Sequence, residues 1–424
     1  MPPSREPSGA LCLGGVSLAE LSAETGTPAY VYDLDAIAAE ARAMREAFDD
    51  APHLVAYAVK ANSAGAVLRT LAAEGCGADV VSGAELLVAL ACGVPAGQIV
   101  YNGVAKTDDE LDRAIGAGIA AIQLESVEEI ARVEARARAA GKRARVGVRV
   151  NPAVDLEGAT HAHIATGHDR AKFGVPREQV ERAVELIESS PDLRLVGMTA
   201  HVGSHFTDVA PYLASARVLF GIVRGLREAG RARTLEYVDS GGGFGVSYED
   251  DAVVPPPAEF VRGARQEQRA HGLADLALYV EPGRSLVAAH GVLLARVVQT
   301  KSSSAGRWLM IDAGMNDLIR PALYQARHRI VPVERAVDRD RALPWRVVGP
   351  VCESSDDFGE HLLPREPPRL VAILDAGAYG YTMASRYNGR QLPVEAFIRG
   401  GRVVAQTKRL PPEEWAEERA AAGR

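Results

Sequence analysis

Cysteine is scarce in this chain. Its 424 residues contain Cys12, Cys76, Cys92 and Cys352, and none of these forms a C-x-x-C pair or other ligand-like spacing. The expectation is a reducing compartment, the cytoplasm, with no thiol-based metal or redox motif. Basic runs are missing too. The formal net charge is −7, so nothing favours nucleic acid or an anionic membrane surface. No stretch reads as long enough to span a bilayer. The opening Met1-Pro2-Pro3-Ser4-Arg5-Glu6-Pro7 has no long apolar run, which argues against a signal peptide. Internal repeats and low-complexity linkers are likewise absent. What the chain does have is length for more than one ordinary domain, 47% hydrophobic residues for a large core, and 41 glycines, which suit many tight strand–helix turns.

From Asp33 onward, extended and helical patterns alternate. Asp33 is placed to cap a helix whose apolar positions Ile37, Ala41, Met44 and Phe48 recur at spacings of three and four. Eight short apolar runs follow, at 54–59, 78–81, 99–101, 121–124, 146–150, 195–200, 235–238 and 276–280. Helix-like stretches such as 127–140 and 176–189 separate them. Short, nearly all-apolar strands alternating with helices predict an α/β fold, a (β/α)8 TIM barrel with strands buried on both faces. Lys60, Ser82, Asn102, Glu125, Asn151, His201, Asp239 and Glu281 stand at or just past the strand ends that form the active face of such a barrel. Ser82, Asn102 and Glu125 are well explained as polar residues where strands reach water. Lys60, His201 and Glu281 are not, given their neighbours.

After Arg284 the rhythm changes. Runs at 291–298, 308–311, 345–349, 369–374 and 395–398 lack long helices between them, which predicts a mostly antiparallel β-domain. The early run Pro28-Ala29-Tyr30-Val31-Tyr32 is expected to join it as the N-terminal strand. The expected division is a barrel over 34–284, and a β-sandwich or β-barrel-like domain from 1–33 and 285–424, ending in a short amphipathic tail over 411–424.

Lys60 closes an apolar run. Desolvation at a barrel floor would lower its pKa and make it a nucleophile toward an aldehyde. The glycines of Asp239-Ser240-Gly241-Gly242-Gly243-Phe244-Gly245, after the seventh strand, let the backbone aim N–H groups at a phosphate. The eighth strand ends in Glu281-Pro282-Gly283-Arg284. A carboxylate there would keep a pyridine nitrogen protonated, the part it plays beside pyridoxal phosphate (PLP); the alternative is a surface Glu–Arg pair. In His201-Val202-Gly203-Ser204-His205 an imidazole can stack on a flat ring and a hydroxyl can donate to phosphate. His161, His163, His168, His201 and His205 raise the rival of a metal site. A four-residue spacing suits a metal on a helix, however, and these two histidines leave a strand, so no metal is expected. Farther on, Arg320 and Tyr324 put a guanidinium and a phenol together, Cys352-Glu353-Ser354-Ser355 puts a thiol beside a carboxylate, and Tyr379 and Tyr381 add phenols that core packing would also explain.

From Pro28 to Asn388 the chain resembles the barrel-fold PLP-dependent decarboxylases of basic amino acids, and within them the diaminopimelate branch. Tyr57-Ala58-Val59-Lys60-Ala61-Asn62, His201-Val202-Gly203-Ser204, the glycine run and Glu281-Pro282-Gly283-Arg284 carry the general likeness. Asn151-Pro152 through Thr160-His161 and Thr166-Gly167 to Lys172-Phe173-Gly174, the run from Met315 to Tyr324, and Cys352-Glu353-Ser354 carry the narrower one. Two positions depart from it: His205 stands where an amide is expected, and Ser355 where glycine is.

The resemblance implies that Lys60 holds PLP as a Schiff base, His201 stacks on its ring, and Ser204 with Gly241, Gly242 and Gly243 holds the phosphate. Glu281 pairs with the ring nitrogen, in the segment with Pro282, Gly283 and Arg284. Arg284, Arg320 and Tyr324 bind the substrate's far carboxylate, Glu353 its far amine, and Tyr379 both cofactor and substrate. Cys352 donates a proton, and it reaches with Glu353 into the partner's site in a homodimer. The implied reaction is decarboxylation of meso-2,6-diaminopimelate to L-lysine, the last step of lysine biosynthesis. The rivals are a decarboxylase of ornithine, arginine or carboxynorspermidine, an amino-acid racemase, and a non-catalytic PLP-binding protein. Glu281 speaks against the racemase, whose chemistry prefers an uncharged pyridine. Two arginines with Glu353 favour a substrate with both a carboxylate and an amine at its far end. The second domain and Cys352 disfavour a bare PLP-binding barrel.

Overall fold

The computed structural model describes residues 3–154, 172–249 and 253–422. The chain forms two compact units, one of residues 38–246 and 253–285, the other of 1–37, 247–252 and 286–424.

The first unit is a closed barrel of eight parallel strands, His53–Ala58, Gly77–Val80, Ile99–Tyr101, Ala121–Leu124, Ala144–Asn151, Leu193–Thr199, Tyr237–Asp239 and Ala277–Val280. Each pairs with the next, and the eighth with the first. The expected runs fall on these strands with end shifts of a residue or two. Lys60 is one difference: it lies in a 3-10 turn, Val59–Ala61, just past the first strand rather than closing it. Ala58 N–H still bonds Pro282 O at 2.9 Å, so contact with the eighth segment runs to the start of the turn.

The barrel interior is plugged by neutral polar side chains. Gln123 Nε2 donates to Tyr237 Oη at 2.8 Å, and Tyr237 stacks on Tyr279 at 4.0 Å between ring centroids. Facing strands make room with glycine. A Cβ on Gly147 would stand 1.9 Å from Gln123 Oε1, and one on Gly197 2.0 Å from Tyr237 Cζ.

The helices outside begin on side-chain caps. Asp33 Oδ1 accepts from the N–H groups of Asp35 and Ala36, at 3.1 and 3.0 Å, to start Leu34–Glu46. Ser82 caps Gly83–Ala91, and Thr107 with Glu110 forms a capping box on Asp108–Ala117. Such a cap contributes about 1 kcal/mol, which accounts for Ser82 without any chemistry. The expected helix over 176–189 begins later, as Val180–Ser189 after a 3-10 turn. One helix, Val209–Glu228, does have the length and apolarity of a bilayer span, contrary to expectation. It buries one stripe, Tyr212, Ala216, Leu219, Phe220, Val223 and Leu226, and carries Arg217, Arg224 and Arg227 elsewhere, the pattern of a barrel-wall helix.

The second unit is built on a mostly antiparallel sheet. Its path runs Asp357–Pro364, Ala342–Val348, Gly306–Ile311, Gly291–Ser303, Ala29–Asp33, Val394–Arg399 and Arg402–Gln406; Leu370–Ile373 and Ile330–Pro332 pair off that path. Ala29–Asp33 is central and fully buried, antiparallel to Gly291–Ser303 and parallel to Val394–Arg399. Leu11, Leu18, Val31, Val292, Leu294 and Ile398 form part of its core. Six strands went unforeseen: Ser4–Arg5, Leu11–Leu13 and Val16–Ser17 form a small sheet of their own, Ile330–Pro332 is short and ends in proline, Asp357–Pro364 carries Asp, Glu and His at an edge, and Arg402–Gln406 has no buried residue. The tail is a helix over Pro412–Ala421, but it is not amphipathic. None of its residues is buried, and charged side chains surround a partly covered Trp415.

Candidate active site

The ends of the barrel strands converge on a charged cluster. Lys60 Nζ stands 3.2 Å from Asp79 Oδ2; the lysine side chain is 41% exposed and the aspartate is buried. Asn102 Nδ2 donates to Asp79 Oδ1 at 2.8 Å and to Glu281 Oε1 at 2.5 Å, so one amide bridges two carboxylates. Asp239 completes a buried acidic trio with these two. Burial raises the Glu281 pKa well above the usual carboxylate range; Asp239 and Asp79 push it further the same way, while Lys60 and Arg149 oppose. Burial pushes Asp239 up to about 7, although its Oδ1 accepts from Gly241 N–H at 2.8 Å.

A second line of charge runs behind the first. Arg149 Nη1 donates to Glu125 Oε1 at 2.9 Å, and its guanidinium lies 4.8 Å from the Phe173 ring centroid. Glu125 also accepts from the N–H groups of Gly103 and Gly174, at 3.0 and 2.8 Å. Lys106 and Glu129 are paired and buried at 2.9 Å, and Glu129 accepts from Glu125 N–H. Asn102 and Glu125 are therefore not simply strand ends meeting water. The signal that could have found them was their place on the active face; Asp79 and Arg149, inside their strands, offered none.

The glycine run sits beside His201. Gly242 N–H donates to His201 Nδ1 at 3.2 Å, which leaves the ring proton on Nε2. Burial, then Arg149 and Lys60, hold the His201 pKa well below its ordinary value, so the ring is neutral. Gly241 and Gly243 have φ of +75° and +92°, and a Cβ on Gly242 would stand 1.9 Å from Glu281 O. Arg284 Nη2 donates to Ser204 Oγ at 3.2 Å, and Pro282 O is tied to the first strand. His205 has φ of +69°, a region that amide side chains and histidine tolerate better than most, which explains the exchange at that position.

The remaining expected residues lie in the second unit. Arg320 is buried in a short helix, Arg320–Tyr324; its Nη1 meets His328 Nε2 at 2.7 Å and its guanidinium lies 4.7 Å from the Tyr248 ring centroid. Tyr324 and Tyr379 are partly exposed, and Tyr379 has φ of +56°. Cys352 is exposed, its N–H bonded to Asn388 Oδ1 at 3.1 Å, and Glu353 contacts Tyr387 Oη and Ser355 Oγ. Asp356, which was not foreseen, shapes this loop by accepting from Met315 and Val351 N–H at 2.6 Å each. His161, His163, His168, Thr160, Thr166 and Gly167 lie outside the described residues. Among the described residues no group of three or more potential ligands forms a metal cluster.

The sequence pattern of the family described as "Pyridoxal-dependent decarboxylase, pyridoxal binding domain" matches residues 34–288. A diaminopimelate decarboxylase from Zymomonas mobilis is 42% identical over 412 residues, 96% of each chain. The chain belongs to this decarboxylase family, in its diaminopimelate branch. It is a PLP-dependent carboxy-lyase. A diaminopimelate decarboxylase from Pseudomonas aeruginosa is 41% identical over 91% of each chain. Among solved structures, the diaminopimelate decarboxylase of M. jannaschii in co-complex with L-lysine is 34% identical with a TM-score of 0.92, over 98% of this chain and 97% of that one. The Helicobacter pylori enzyme complexed with L-lysine is 36% identical with a TM-score of 0.87, over 95% and 99%. A lysine/ornithine decarboxylase from Vibrio vulnificus, 23% identical over 90% of this chain and 97% of that one with a TM-score of 0.77, shares the fold.

The barrel face of this decarboxylase fits PLP on physical grounds. Asp239 and Asp79 press a proton onto the buried Glu281, which suits a proton shared with a ring nitrogen. A Cβ-free backbone cradle, with Ser204 and Arg284 together, suits a phosphate. Lys60 supplies the amine an aldehyde needs, but its side chain is 41% exposed and paired with Asp79, so it is not desolvated as the sequence leads one to expect.

Proposed function

We propose that Lys60, Glu281, His201 and Cys352 carry out the decarboxylation of meso-2,6-diaminopimelate, releasing carbon dioxide and L-lysine in the cytoplasm. The chain from Lys60 through Asp79 and Asn102 to Glu281 carries this assignment, because it links the amine expected to anchor PLP to the acid expected to face its ring nitrogen. When bound, PLP supplies a ring that accepts the electron pair left by the departing carboxylate. Glu281 keeps a proton at the ring nitrogen, pressed to do so by Asp79 and Asp239. His201 offers a flat neutral face, and Ser204, Gly241, Gly242 and Gly243 offer donors to the phosphate, in a turn shaped by Pro282, Gly283 and Arg284. Residues 34–284 then act as the cofactor-binding part, and 1–33 with 285–424 as the β-domain.

Substrate orientation falls to the remaining residues. The bond to be broken must stand across the ring plane for its electrons to delocalise. Arg284, Arg320 and Tyr324 gripping the far carboxylate, Glu353 the far amine, and Tyr379 both cofactor and substrate, turn remote binding energy into that torsion. Cys352 delivers the proton to carbon. Both Cys352 and Glu353 are exposed, which suits action in a partner subunit's site within a homodimer. Lys60 frees the product.

The test is carbon dioxide release from meso-diaminopimelate, L-ornithine and L-arginine, with and without added PLP. Release confined to diaminopimelate, dependent on PLP and matched by lysine formation, is expected; comparable kcat/KM for ornithine would overturn the substrate assignment. Sharing of sites is tested by mixing Lys60→Ala and Cys352→Ala proteins. Partial recovery is expected, and verified heterodimers without activity would refute it.

A further inference from the structure

The outer wall of the barrel carries a second charged feature, far along the strands from the active face. The helix Pro257–Ala270 leads into the eighth strand, and residues 47–49 precede the first, so the two meet near the N-terminal ends of the strands. A cavity of about 300 Å³ lies there, lined by Ala47, Asp49, Arg262, Arg265, Gln266 and Arg269. The three arginines are spaced i, i+3 and i+7, which puts them on one helix face.

Their pairing is unlike that of other arginines on the same wall. Arg217 meets Glu267, Arg227 meets Asp275 and Arg231 meets Glu185, each at 2.7 Å. Among the described residues no carboxylate comes within ion-pair distance of Arg262 or Arg269, although the chain has 55 acidic residues against 48 Lys and Arg. Arg265 is the decisive one. Its side chain is only 9% exposed, yet among the described residues its one anionic contact is Asp49 Oδ2 at 3.4 Å, on a carboxylate 80% exposed. Its Nε–H is buried with no acceptor. A buried guanidinium normally has close, well-aligned anionic partners, because burying an ill-compensated charge is costly. The excess is felt nearby: burial, and then Arg45 and Arg265, hold the half-buried His53 below its ordinary pKa.

We propose that this cavity binds a small multivalent anion, a phosphate or a dicarboxylate, through Arg262, Arg265 and Arg269. Forked guanidinium donors match the oxygens of either group. An ion there completes the compensation that Asp49 supplies only weakly. Because Asp49 competes with the ligand, the structure assigns it an opposing effect on affinity.

The experiment uses the PLP-loaded enzyme, so that the cofactor keeps the probes out of the active site. Inorganic phosphate, pyrophosphate and succinate are titrated by calorimetry at constant ionic strength, with chloride as control. Saturable binding is expected, weakened by about tenfold or more in the Arg262→Ser/Arg269→Ser double variant, whose kcat/KM without added anion stays unchanged. Arg265→Gln should also lose binding, and Asp49→Asn should strengthen it. Preference for phosphate and pyrophosphate over succinate identifies the ligand as a phosphate; the reverse identifies a dicarboxylate. No saturable binding, or equal affinity in wild type and the double variant, overturns the proposal, as does weaker binding in Asp49→Asn.

Discussion

Both units bury carboxylates, and they do so in different ways. In the second unit Asp375 is paired with Arg329, and three other buried acids lean on neutral donors. Asp317 accepts from Gly314 N–H at 2.8 Å, Asp356 from two backbone N–H groups, and Glu395 from Tyr32 Oη at 3.1 Å. In the barrel, Asp79, Asp239 and Glu281 share one site, and a single amide bridges two of them. Burial raises pKa in both places, with Asp317 and Glu395 each pushed up to about 7. A raised pKa therefore does not mark the reactive centre of this molecule. Asp312 and Asp356 also press on Asp317, so what sets the barrel cluster apart is that one amide bridges two of its acids and that Lys60 and Arg149 oppose their charge.

That contrast can be broken by substitution, beginning with the largest effect. Lys60→Ala removes the nearest cation and the anchoring amine together; turnover is expected to fall by at least about 10³-fold, with loss of the protein-bound cofactor's visible absorbance. A visible absorbance that persists in Lys60→Ala and is removed by borohydride would contradict the anchoring role. Glu281→Gln keeps the shape but removes the acid, and turnover should fall by about 10²–10³-fold. If Glu395→Gln did the same, the distinction between clustered and isolated acids would be wrong. Asn102→Ala should weaken PLP binding by about tenfold and shift the pH profile of the bound cofactor's spectrum, which a purely structural defect would leave in place.

The smallest effect concerns pH. Glu395 is an acid whose pKa is raised from 4.5 to about 7 in the folded state, so the native form binds the extra proton. Its unfavourable ionisation is absent at low pH and grows as pH rises through that interval. Glu395→Gln should therefore gain melting temperature over wild type as pH goes from about 5 to about 8, with kcat/KM little changed. A difference independent of pH would show that Glu395 does not titrate in this window.

Much of the barrel was legible because its strands are apolar runs with regular spacing, and the glycine run and the Glu281 segment followed two of them directly. Asp79 was hidden inside a strand, where a lone acid reads as an interruption. Asn102 and Glu125 looked like strand ends meeting water. Their partners are distant in sequence: Asn102 and Glu281 are 179 residues apart, and Glu125 and Arg149 are 24 apart. The edge strands of the second unit were illegible for a different reason, since a solvated edge tolerates charge and loses the alternation that marks a strand.

By itself the sequence determined the alternating elements, the barrel, an N-terminal strand joining the second unit, and which amine, imidazole, glycines and acid stand at the strand ends. Only the tertiary structure decided that three carboxylates share one desolvated site and that Asn102 stands between two of them. Local patterning depends on neighbours three or four residues away, whereas the electrostatics of a site depend on which charges closure of the barrel brings within a few ångströms.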